Sequence, residues 1–375
     1  MKILLFANTA WYLYNFRLPL AESLKSKGFE VVLLSPPDEY AERIKEAGFR
    51  WLPFPFSRRG TNLLTEGITI LKLARVYQDE KPVIVHHFTI KCVLYGSLAA
   101  KFTGIRSVVN SITGLGYVFI NQHGLTGLLV QPVKLFYRFA LRQSKVIFQN
   151  GDDQAYFIEA NLVQKDQCSL IRGSGVDVMK FKVTDEPEGV PVVVLPGRML
   201  WDKGVREFVE AARKIKQENF PARFVLVGDI DLENPASVPE TTLKQWEDEG
   251  VVEWWRWQSD MPAVYSGANV ICLPSYREGV PRTLLEAAAS GRAMVATDVP
   301  GCREVVLEGV TGYLVPVKNS QILAERLKLI LANKELRQKM GREGRKLVEK
   351  EFTTSRVLRE TGEVYSAILA HRGDE

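Results

Sequence analysis

The stretch ANVICLPSYREGVPRTLLEAAASGRAMVATD, residues 268–298, predicts a strand, a loop, a helix and a second strand in immediate succession. Its apolar run at 270–273 is typical of a strand buried on both faces of a parallel sheet. The Leu- and Ala-rich run at 283–290, which a glycine follows, predicts a helix. Two carboxylates frame the start of that helix: Glu278 lies on the loop, and Glu286 lies about one turn into the helix.

This arrangement is suited to a ligand that carries an anion between two groups rich in hydroxyls. The first backbone N–H groups of a helix have no partner within the helix, so they bind anions such as a diphosphate. Carboxylate oxygens accept hydrogen bonds from neighbouring hydroxyls. The stretch therefore predicts a site for a sugar, a diphosphate and a ribose. The alternative interpretation is a capped helix with two surface carboxylates.

The length and composition are those of an ordinary globular protein with room for two cores. The 375 residues are 46% hydrophobic and 25% charged. The four cysteines are scattered without a CxxC pair, which favours a reducing cytoplasm. The opening MKILLFAN predicts a first strand rather than a signal peptide, and no apolar run approaches the roughly 18 residues of a transmembrane helix.

Strand and helix patterns alternate along both halves of the chain, which predicts an α/β fold with parallel, doubly wound sheets. The segment 182–190, KVTDEPEGV, is rich in acid, Pro and Gly and predicts a boundary. We therefore expect an N-terminal domain of residues 1–182 and a C-terminal domain of residues 190–354. Ligands in such folds bind at the carboxyl ends of the strands, which would here face a cleft between the domains.

Cations after the first strand of the second half are expected to bind the same diphosphate. Arg198 offers a planar fork and Lys203 a point charge, although the loop is also compatible with a surface ion pair. Asp229 and Asp231 form a D-x-D pair of the kind that can hold Mn²⁺ or Mg²⁺. Because the two cations can neutralise the diphosphate, we interpret the acidic pair as a loop and expect no required metal.

Aromatic and imidazole side chains supply two further candidates. Of the tryptophans in VVEWWRWQSD, Trp257 is expected beside the nucleotide base and the other two in packing. His86 and His87 end the strand PVIVHH, and the alternation of side chains predicts that one of them faces the substrate. We take His87 as the catalytic candidate; a structural role is equally compatible with its position.

The region 51–150 is strongly basic, with 12 Lys or Arg against 3 Asp or Glu, whereas the whole chain has a net charge of +5. Within it, 127–145 predicts a basic amphipathic helix with Lys134, Arg138 and Arg142 on one face. Such a helix would lie on an anionic membrane surface; a docked helix with a solvated basic face is the alternative. No nucleic-acid-binding motif accompanies the charge, so we expect no nucleic acid as a partner.

Taken together, these motifs resemble those of the family-4 retaining glycosyltransferases, whose GT-B fold has two Rossmann-like domains facing across a cleft. The segments YNFRLPL, GLGYVF, LWDKGVREF, DLENP and LPSYREGVPRTLLEA are similar to those of bacterial undecaprenyl-diphosphate-sugar glycosyltransferases, including α-1,3-N-acetylgalactosaminyltransferases. The resemblance covers nearly the whole chain. It implies transfer of a hexose or N-acetylhexosamine, with N-acetylgalactosamine favoured, from a UDP-sugar to a polyprenyl-diphosphate-linked sugar. It also implies that a last helix at about 355–375 packs back on the N-terminal domain.

The same resemblance implies roles for individual residues. Glu278 would contact the donor sugar and Glu286 the ribose, while Arg198 and Lys203 would stabilise the leaving diphosphate, which accepts the acceptor's proton. The other residues assigned to the donor are Asn8, Asp229, Trp257, Gly279, Val280, Pro281, Thr283 and Leu284. Those assigned to the lipid-linked acceptor are Arg17, Arg58, Arg59, Lys91, Thr113, Gly114 and Gly116. Thr113 stands near the point where many family members have a His, so the resemblance predicts no simple His-based role there.

Two other functions are compatible with this fold. A UDP-sugar 2-epimerase would need acid and base residues around C2 of the sugar and would work without an acceptor. A non-catalytic membrane-binding protein would bind UDP and transfer nothing. For the glycosyltransferase we expect a cytoplasmic protein held peripherally at the inner face of the cell membrane. Its domains would close on the donor about a hinge at 182–190 and the final helix.

Overall fold

The computed structural model of this protein describes residues 1–57, 62–114, 125–232 and 234–373. The chain divides into two compact units, which we call the first unit and the second unit. The first unit comprises residues 1–174 and 357–375, and the second comprises residues 175–356.

The first unit is built on a parallel sheet. Its strands are β1 (Lys2–Phe6), β2 (Glu30–Ser35), β3 (Arg50–Pro53), β4 (Ile84–Phe88), β5 (Val108–Ile112), β6 (Lys145–Phe148) and β7 (Cys168–Leu170). They are ordered β3–β2–β1–β4–β5–β6–β7, so the order reverses between β1 and β4. The helices of this part of the chain are α1 (Ala10–Tyr12), α2 (Leu18–Ser26), α3 (Tyr40–Glu46), α4 (Leu63–Glu80), α5 (Ile90–Thr103), α6 (Leu125–Leu141) and α7 (Gly151–Glu159). A π-helical turn, Leu13–Arg17, joins α1 to α2.

The second unit repeats this plan. Its strands are β8 (Val192–Pro196), β9 (Arg223–Val227), β10 (Glu253–Trp254), β11 (Val270–Leu273), β12 (Ala293–Thr297) and β13 (Gly312–Val315), in the order β10–β9–β8–β11–β12–β13. Its helices are α8 (Val205–Gln217), α9 (Glu240–Asp248), α10 (Met261–Ser266), α11 (Arg282–Ala289), α12 (Pro300–Arg303), α13 (Ser320–Leu331) and α14 (Lys334–Glu351). The last helix, α15 (Thr354–Gly373), begins in the second unit and joins the first from Val357 onward.

Both faces of each sheet are covered by apolar side chains, as the continuous apolar strands predict. In β8, Val193 and Leu195 belong to one core cluster, and Val192 and Val194 belong to the cluster on the opposite face. The first sheet is likewise covered by two clusters. The predicted α/β class with doubly wound parallel sheets is confirmed.

Two capping side chains set local details of the fold. The polar segment 320–351 forms two helices, because Asn333 leaves the helical conformation and its side chain accepts a hydrogen bond from the Leu336 N–H, which caps α14. The chain after β1 is helical from Ala10, and Thr9 caps this helix by accepting from the Tyr12 N–H.

The acidic segment 182–190 is fastened to the second unit instead of forming a solvated linker. Arg292, which is fully buried, donates to the backbone oxygens of Thr184 and Asp185. Glu186 accepts from Arg337 at 2.9 Å, and both side chains are buried. The acids of this segment are therefore partners for buried arginines, and the two units divide at residues 174 and 175. In the part of the chain that the structure describes, none of the helices combines the length and the apolar character needed to span a membrane.

Candidate active site

Two loops at the carboxyl end of the second sheet bring a cation and a carboxylate together. Lys203 follows β8 and Glu278 follows β11, and the Lys203 Nζ donates to Glu278 Oε1 at 2.5 Å. Both side chains are partly buried, with Glu278 only 11% exposed. The two residues, which the sequence predicts at one site, are therefore in direct contact; their part in donor binding stays a prediction. The pair precedes α11, whose first turn faces the same loop.

The loop that carries Glu278 is fixed by backbone packing against residues that have no side chain. A Cβ added at Gly301, in α12, would lie 1.4 Å from the Gly279 carbonyl oxygen. A Cβ added at Gly204 would lie 2.1 Å from the Pro274 carbonyl oxygen. The side-chain hydroxyl of Thr297 also donates to the Ser275 carbonyl. The loop is thus held from the neighbouring strands on both sides, which keeps the Glu278 carboxylate in position.

Glu286 is buried in the second turn of α11, and both of its oxygens have partners. Arg282 Nε donates to one oxygen at 2.8 Å, and the Tyr265 hydroxyl donates to the other at 3.0 Å. Burial raises the pKa of Glu286, an effect that the charge of Arg282 and the hydrogen bond from Tyr265 oppose. Sequence reasoning identified Glu286 but missed both of its partners. Arg282 could have been found from its i, i+4 spacing to Glu286 on the same helix.

Arg198 lies on the same β8 loop but points to a different carboxylate. Its Nη1 donates to Asp231 Oδ2 at 2.7 Å, and the guanidinium side chain is 57% exposed. Asp229 is exposed, and its carbonyl accepts from the Met199 N–H, which ties the loops after β8 and β9 together. Asp231 is therefore an ion-pair partner in a loop, and Arg198 is accessible to an anion.

The tryptophans beyond β9 differ in exposure and in hydrogen-bond partners. Trp254 is buried, and its Nε1 donates to the Gly228 carbonyl at 2.8 Å. Trp255 donates to Glu253. Trp257 is 56% exposed on the loop after β10, so its indole is available to a base at the carboxyl end of this sheet.

One residue assigned to donor binding packs in the core instead. The Leu284 side chain is fully buried within an apolar cluster, and its N–H donates to the Pro281 carbonyl at 3.0 Å. Leu284 is therefore a packing residue, which corrects the assignment. Val280 is nearly buried in the same cluster, so its side chain mainly anchors the loop. Thr283, half-buried at the start of α11, has its hydroxyl 3.5 Å from the Pro196 carbonyl.

A buried pair that sequence reasoning missed supports the Glu278 loop. The Tyr276 hydroxyl donates to Glu207 Oε1 at 2.7 Å, and the Tyr276 N–H donates to the Asp202 carbonyl. Glu207, on α8, is buried, and its second oxygen has no hydrogen-bond partner among the described residues. Burial, together with this carboxylate, raises the pKa of Tyr276. The tyrosine thus connects α8 to the loop two residues before Glu278.

His87 is a core residue of the first unit, which corrects its assignment as a catalytic side chain. It is fully buried; its Nδ1 lies 2.7 Å from Asn110 Oδ1 and its Nε2 lies 2.9 Å from the Tyr77 hydroxyl. A Cβ on Gly96 would lie 2.4 Å from the ring, so α5 packs directly against it. Burial lowers the pKa of His87 to about 4. The imidazole is therefore neutral and enclosed.

The neighbouring histidine is enclosed as well. His86 Nδ1 lies 2.6 Å from the Tyr365 hydroxyl of α15, and its Nε2 lies 2.8 Å from Ser111 Oγ. Burial, followed by the charge of Arg17, lowers its pKa well below the ordinary value. The alternation of side chains places the two histidines on opposite faces of β4, but helices cover both faces. The expectation that one of them reaches substrate is therefore wrong.

Arg17 is a buried guanidinium in the π-helical turn of the first unit. It is 6% exposed, lies 4.3 Å from the centre of the Phe88 ring, and donates to the Tyr12 hydroxyl at 2.7 Å. No carboxylate pairs with it among the residues that the structure describes. Because a buried charge normally has an opposite charge beside it, Arg17 is poised to receive an anion.

The remaining acceptor assignments lie on other loops of the first unit. Lys91 Nζ donates to Glu66 Oε1 at 2.8 Å and to the Ser57 carbonyl at 2.6 Å, so this cation already has an acidic partner. Thr113 and Gly114 are half-buried directly after β5. Asn8 is half-buried after β1. Arg58, Arg59 and Gly116 lie outside the described residues.

Thr89, between β4 and α5, is a further residue that sequence reasoning missed. Its backbone has φ +70°, a conformation that side-chain-bearing residues rarely adopt. Strain of this kind collects at functional loops.

In the described ranges, no group of three or more His, Cys, Asp or Glu side chains is arranged to hold a metal ion.

Residues 179–347 match the family "Glycosyl transferases group 1", and residues 2–150 match "Glycosyl transferase 4-like". The chain is 30% identical to the N,N'-diacetylbacillosaminyl-diphospho-undecaprenol alpha-1,3-N-acetylgalactosaminyltransferase of Campylobacter jejuni, over 90% of this chain and 91% of that protein. This chain belongs to the group 1 glycosyltransferases.

Two further proteins show how far the similarity of this group 1 glycosyltransferase extends. It is 25% identical to the UDP-Gal:alpha-D-GlcNAc-diphosphoundecaprenol alpha-1,3-galactosyltransferase of Escherichia coli, over 80% of this chain and 79% of that one. A crystal structure of a glycosyltransferase from Rickettsia africae matches 98% of both chains with a TM-score of 0.78 at 20% identity, which shows the shared GT-B fold. The enzyme is thus a hexosyltransferase with a GT-B fold.

Proposed function

We propose that this glycosyltransferase moves a hexose or N-acetylhexosamine, with N-acetylgalactosamine favoured, from a UDP-sugar to an undecaprenyl-diphosphate-linked sugar, with retention of configuration. The observation that carries the proposal is the Lys203–Glu278 contact at the carboxyl end of the second sheet, directly before α11. The names of the Campylobacter and Escherichia relatives, the second of which includes UDP-Gal as the donor, support the substrate classes.

In the proposed reaction the second unit binds the donor. Lys203 and Arg198 bind the diphosphate, the N-terminus of α11 adds its backbone N–H groups, and Glu286 accepts from the ribose hydroxyls. Glu278, released from Lys203, accepts from hydroxyls of the sugar. The anomeric carbon–oxygen bond to the diphosphate breaks, a bond from the acceptor hydroxyl to that carbon forms, and the acceptor's proton passes to the leaving diphosphate. The protein then supplies charge stabilisation and positioning, without a metal ion.

The first unit supplies the acceptor contacts in this proposal. Arg17 is a buried cation without a carboxylate partner among the described residues, so the acceptor's diphosphate is its natural counter-ion. Arg17→Lys keeps the charge but loses the planar fork and is expected to raise the KM for the lipid acceptor about tenfold with little change in the KM for the donor. Tyr12→Phe, which removes the hydrogen-bond partner alone, is the matched control. An equal rise in both KM values would contradict an acceptor-specific role.

We also propose that helices of the first unit place the enzyme on the inner face of the cell membrane. Leu64, Ile68 and Leu71 form an exposed row on α4 at i, i+4 and i+7; Leu64 is 80% exposed and Leu71 64%. Leu135, 66% exposed, lies with two phenylalanines on α6. The α5 helix packs against both α4 and α6, so these side chains belong to one side of the unit. An exposed apolar surface of this size is typical of a membrane or protein contact.

The charges of this surface are partly used within the protein. Arg138 Nε donates to the Asn161 carbonyl at 2.7 Å, and Lys134 lies over the Tyr156 ring. Substitutions in the apolar row of α4 therefore test membrane binding more directly than substitutions of these basic side chains. Leu64→Gln with Leu71→Gln is expected to reduce co-sedimentation with vesicles of phosphatidylglycerol and phosphatidylcholine at least fivefold, whereas Leu329→Gln in the second unit should leave it unchanged. Equal binding of all three proteins would contradict the membrane surface.

The catalytic proposal is tested with a panel of UDP-sugars, in EDTA, with and without an undecaprenyl-diphosphate-linked sugar. Glu278→Gln is expected to lower transfer at least about 100-fold while UDP affinity changes less than threefold. Glu343→Gln, which changes a partly exposed carboxylate on α14 that pairs with Lys346, is the control. The anomeric proton coupling of the product reports retention. Conversion of the UDP-sugar without acceptor would indicate the epimerase, and UDP binding with no transfer would indicate the non-catalytic protein.

A further inference from the structure

Two adjoining cavities lie at the edge of the first sheet where its strands begin, which is the edge opposite to Asn8 and Thr113. Their volumes are about 870 Å³ and about 670 Å³. Residues 104–106 and 143–144 line both cavities, so they form one continuous recess between the ends of α5 and α6 and the starts of β5 and β6. The donor and acceptor residues discussed above do not line it.

The recess is surrounded by positive charge. Its lining includes the five cations Lys81, Lys101, Arg106, Arg142 and Lys145, and it includes no Asp or Glu among the described lining residues. The nearest carboxylate along α4 is occupied elsewhere, since Glu80 pairs with Lys2 and Arg50.

The negative ends of three helices offset part of this positive charge. The carboxyl ends of α4, α5 and α6 meet here, and each contributes roughly half a negative charge, or about 1.5 charges in all. Lys101 Nζ donates to the Arg142 carbonyl at 3.0 Å, and Lys145 Nζ donates to the Asp166 carbonyl at 3.0 Å. Burial and the neighbouring charge of Arg142 lower the pKa of Lys101. The helix ends thus offset only part of the charge of the five cations.

We infer that this recess is a second anion site, which binds a phosphate ester through Arg106, Arg142 and Lys101. Gln143 is held at φ +71° and lines both cavities, where its amide can bind the remainder of the ligand. The ester is either a free phosphorylated small molecule or the headgroup of an anionic lipid. For the lipid, exposed apolar side chains stand beside the recess: Phe102 follows Lys101, and Lys101 Nζ lies 5.1 Å from the Phe139 ring.

The first measurement uses a soluble probe. Wild-type enzyme, saturated with UDP so that the donor site is occupied, is titrated calorimetrically with glycerol 3-phosphate. Arg106→Gln with Arg142→Gln removes two exposed cations of the recess and is expected to weaken binding about tenfold per cation. Lys346→Gln with Lys350→Gln removes the same charge from the exposed face of α14 and should leave the affinity unchanged.

The second measurement uses vesicles of phosphatidylcholine with and without phosphatidylglycerol. Loss of the phosphatidylglycerol-dependent binding in the Arg106/Arg142 variant, with no binding of glycerol 3-phosphate, supports the site and identifies a lipid headgroup. Binding of glycerol 3-phosphate without a variant-dependent vesicle effect supports the site and identifies a free phosphate ester. No response to either probe, or equal losses in the control variant, overturns the inference. Neither readout depends on sugar transfer, so the outcome is independent of the proposed reaction.

Discussion

His87→Gln tests whether the enclosed imidazole of β4 serves stability or catalysis. In the folded protein its pKa is about 4, against 6.5 for an ordinary histidine, because the ring is buried. A difference of this size corresponds to about 3 kcal/mol between the two protonation states. The folded pKa is lowered, so this stability is present above about pH 6.5 and is lost as the pH falls toward 4.

The variant is therefore expected to change the pH dependence of stability. On acidification from pH 7.5 to pH 5, protonation of His87 in the unfolded chain costs the wild type about 2 kcal/mol that the variant does not lose. At pH 7.5 the variant is less stable than the wild type by the free energy of the lost hydrogen bonds. This difference in the free energy of unfolding should become smaller by about 2 kcal/mol toward low pH. Urea unfolding read by pulsed hydrogen exchange on peptides from β4 and β5 reports the first unit alone.

Tyr77→Phe is the matched control, because it removes one hydrogen bond to His87 and keeps the imidazole. It should lower stability with the same pH dependence as the wild type. Parallel curves for His87→Gln and wild type would refute a neutral buried histidine. A fall in transfer of 100-fold or more in the fully folded His87→Gln protein would return the residue to the catalytic set.

Three other substitutions have defined outcomes. Arg198→Ala is expected to weaken UDP affinity by about 10- to 100-fold in calorimetry, since a charge-assisted contact is lost; unchanged affinity would remove it from the diphosphate site. Gly301→Ala, whose Cβ would meet the Gly279 carbonyl, should lower both Tm and kcat; normal kcat would show that the loop tolerates displacement. Burial raises the pKa of Glu286, so the free energy of unfolding of the wild type should fall as the pH rises above about 4.5. Glu286→Gln should flatten that decline when unfolding by urea is measured across pH. Parallel plots of unfolding free energy against pH for the two proteins would contradict this.

The architecture was predictable because its signals are local. Apolar strands such as β8 and β11 alternate with helices that end at glycine, and this pattern is enough for a doubly wound sheet. The break before α14 was not predicted, because periodicity is similar on both sides of Asn333 and the break depends on one capping side chain. The anchoring of 182–190 depends on Arg292 and Arg337, which are more than 100 residues away in sequence.

The positions of Glu278, Glu286 and Lys203 on the loops and helix that follow β8 and β11 were predictable, because residue type and strand position coincide there; their roles toward a donor stay predictions. His87 shows the limit of this reasoning: the end of a strand faces a ligand only if no helix covers it, and α5 covers β4. The Tyr276–Glu207 pair is invisible in sequence because its members lie 69 residues apart and carry no motif. Long-range contacts of this kind arise only when the loops after different strands meet.

The Lys203–Glu278 ion pair has a consequence for turnover in the proposed reaction. Since each residue satisfies the other at 2.5 Å, the proposed binding of a sugar nucleotide would be an exchange of partners and not a simple addition. The free energy of the broken pair would be subtracted from the affinity for the sugar nucleotide and regained when the nucleoside diphosphate departs. The internal pair would thus compete with the spent nucleotide, which would limit product inhibition and favour release at the end of each cycle.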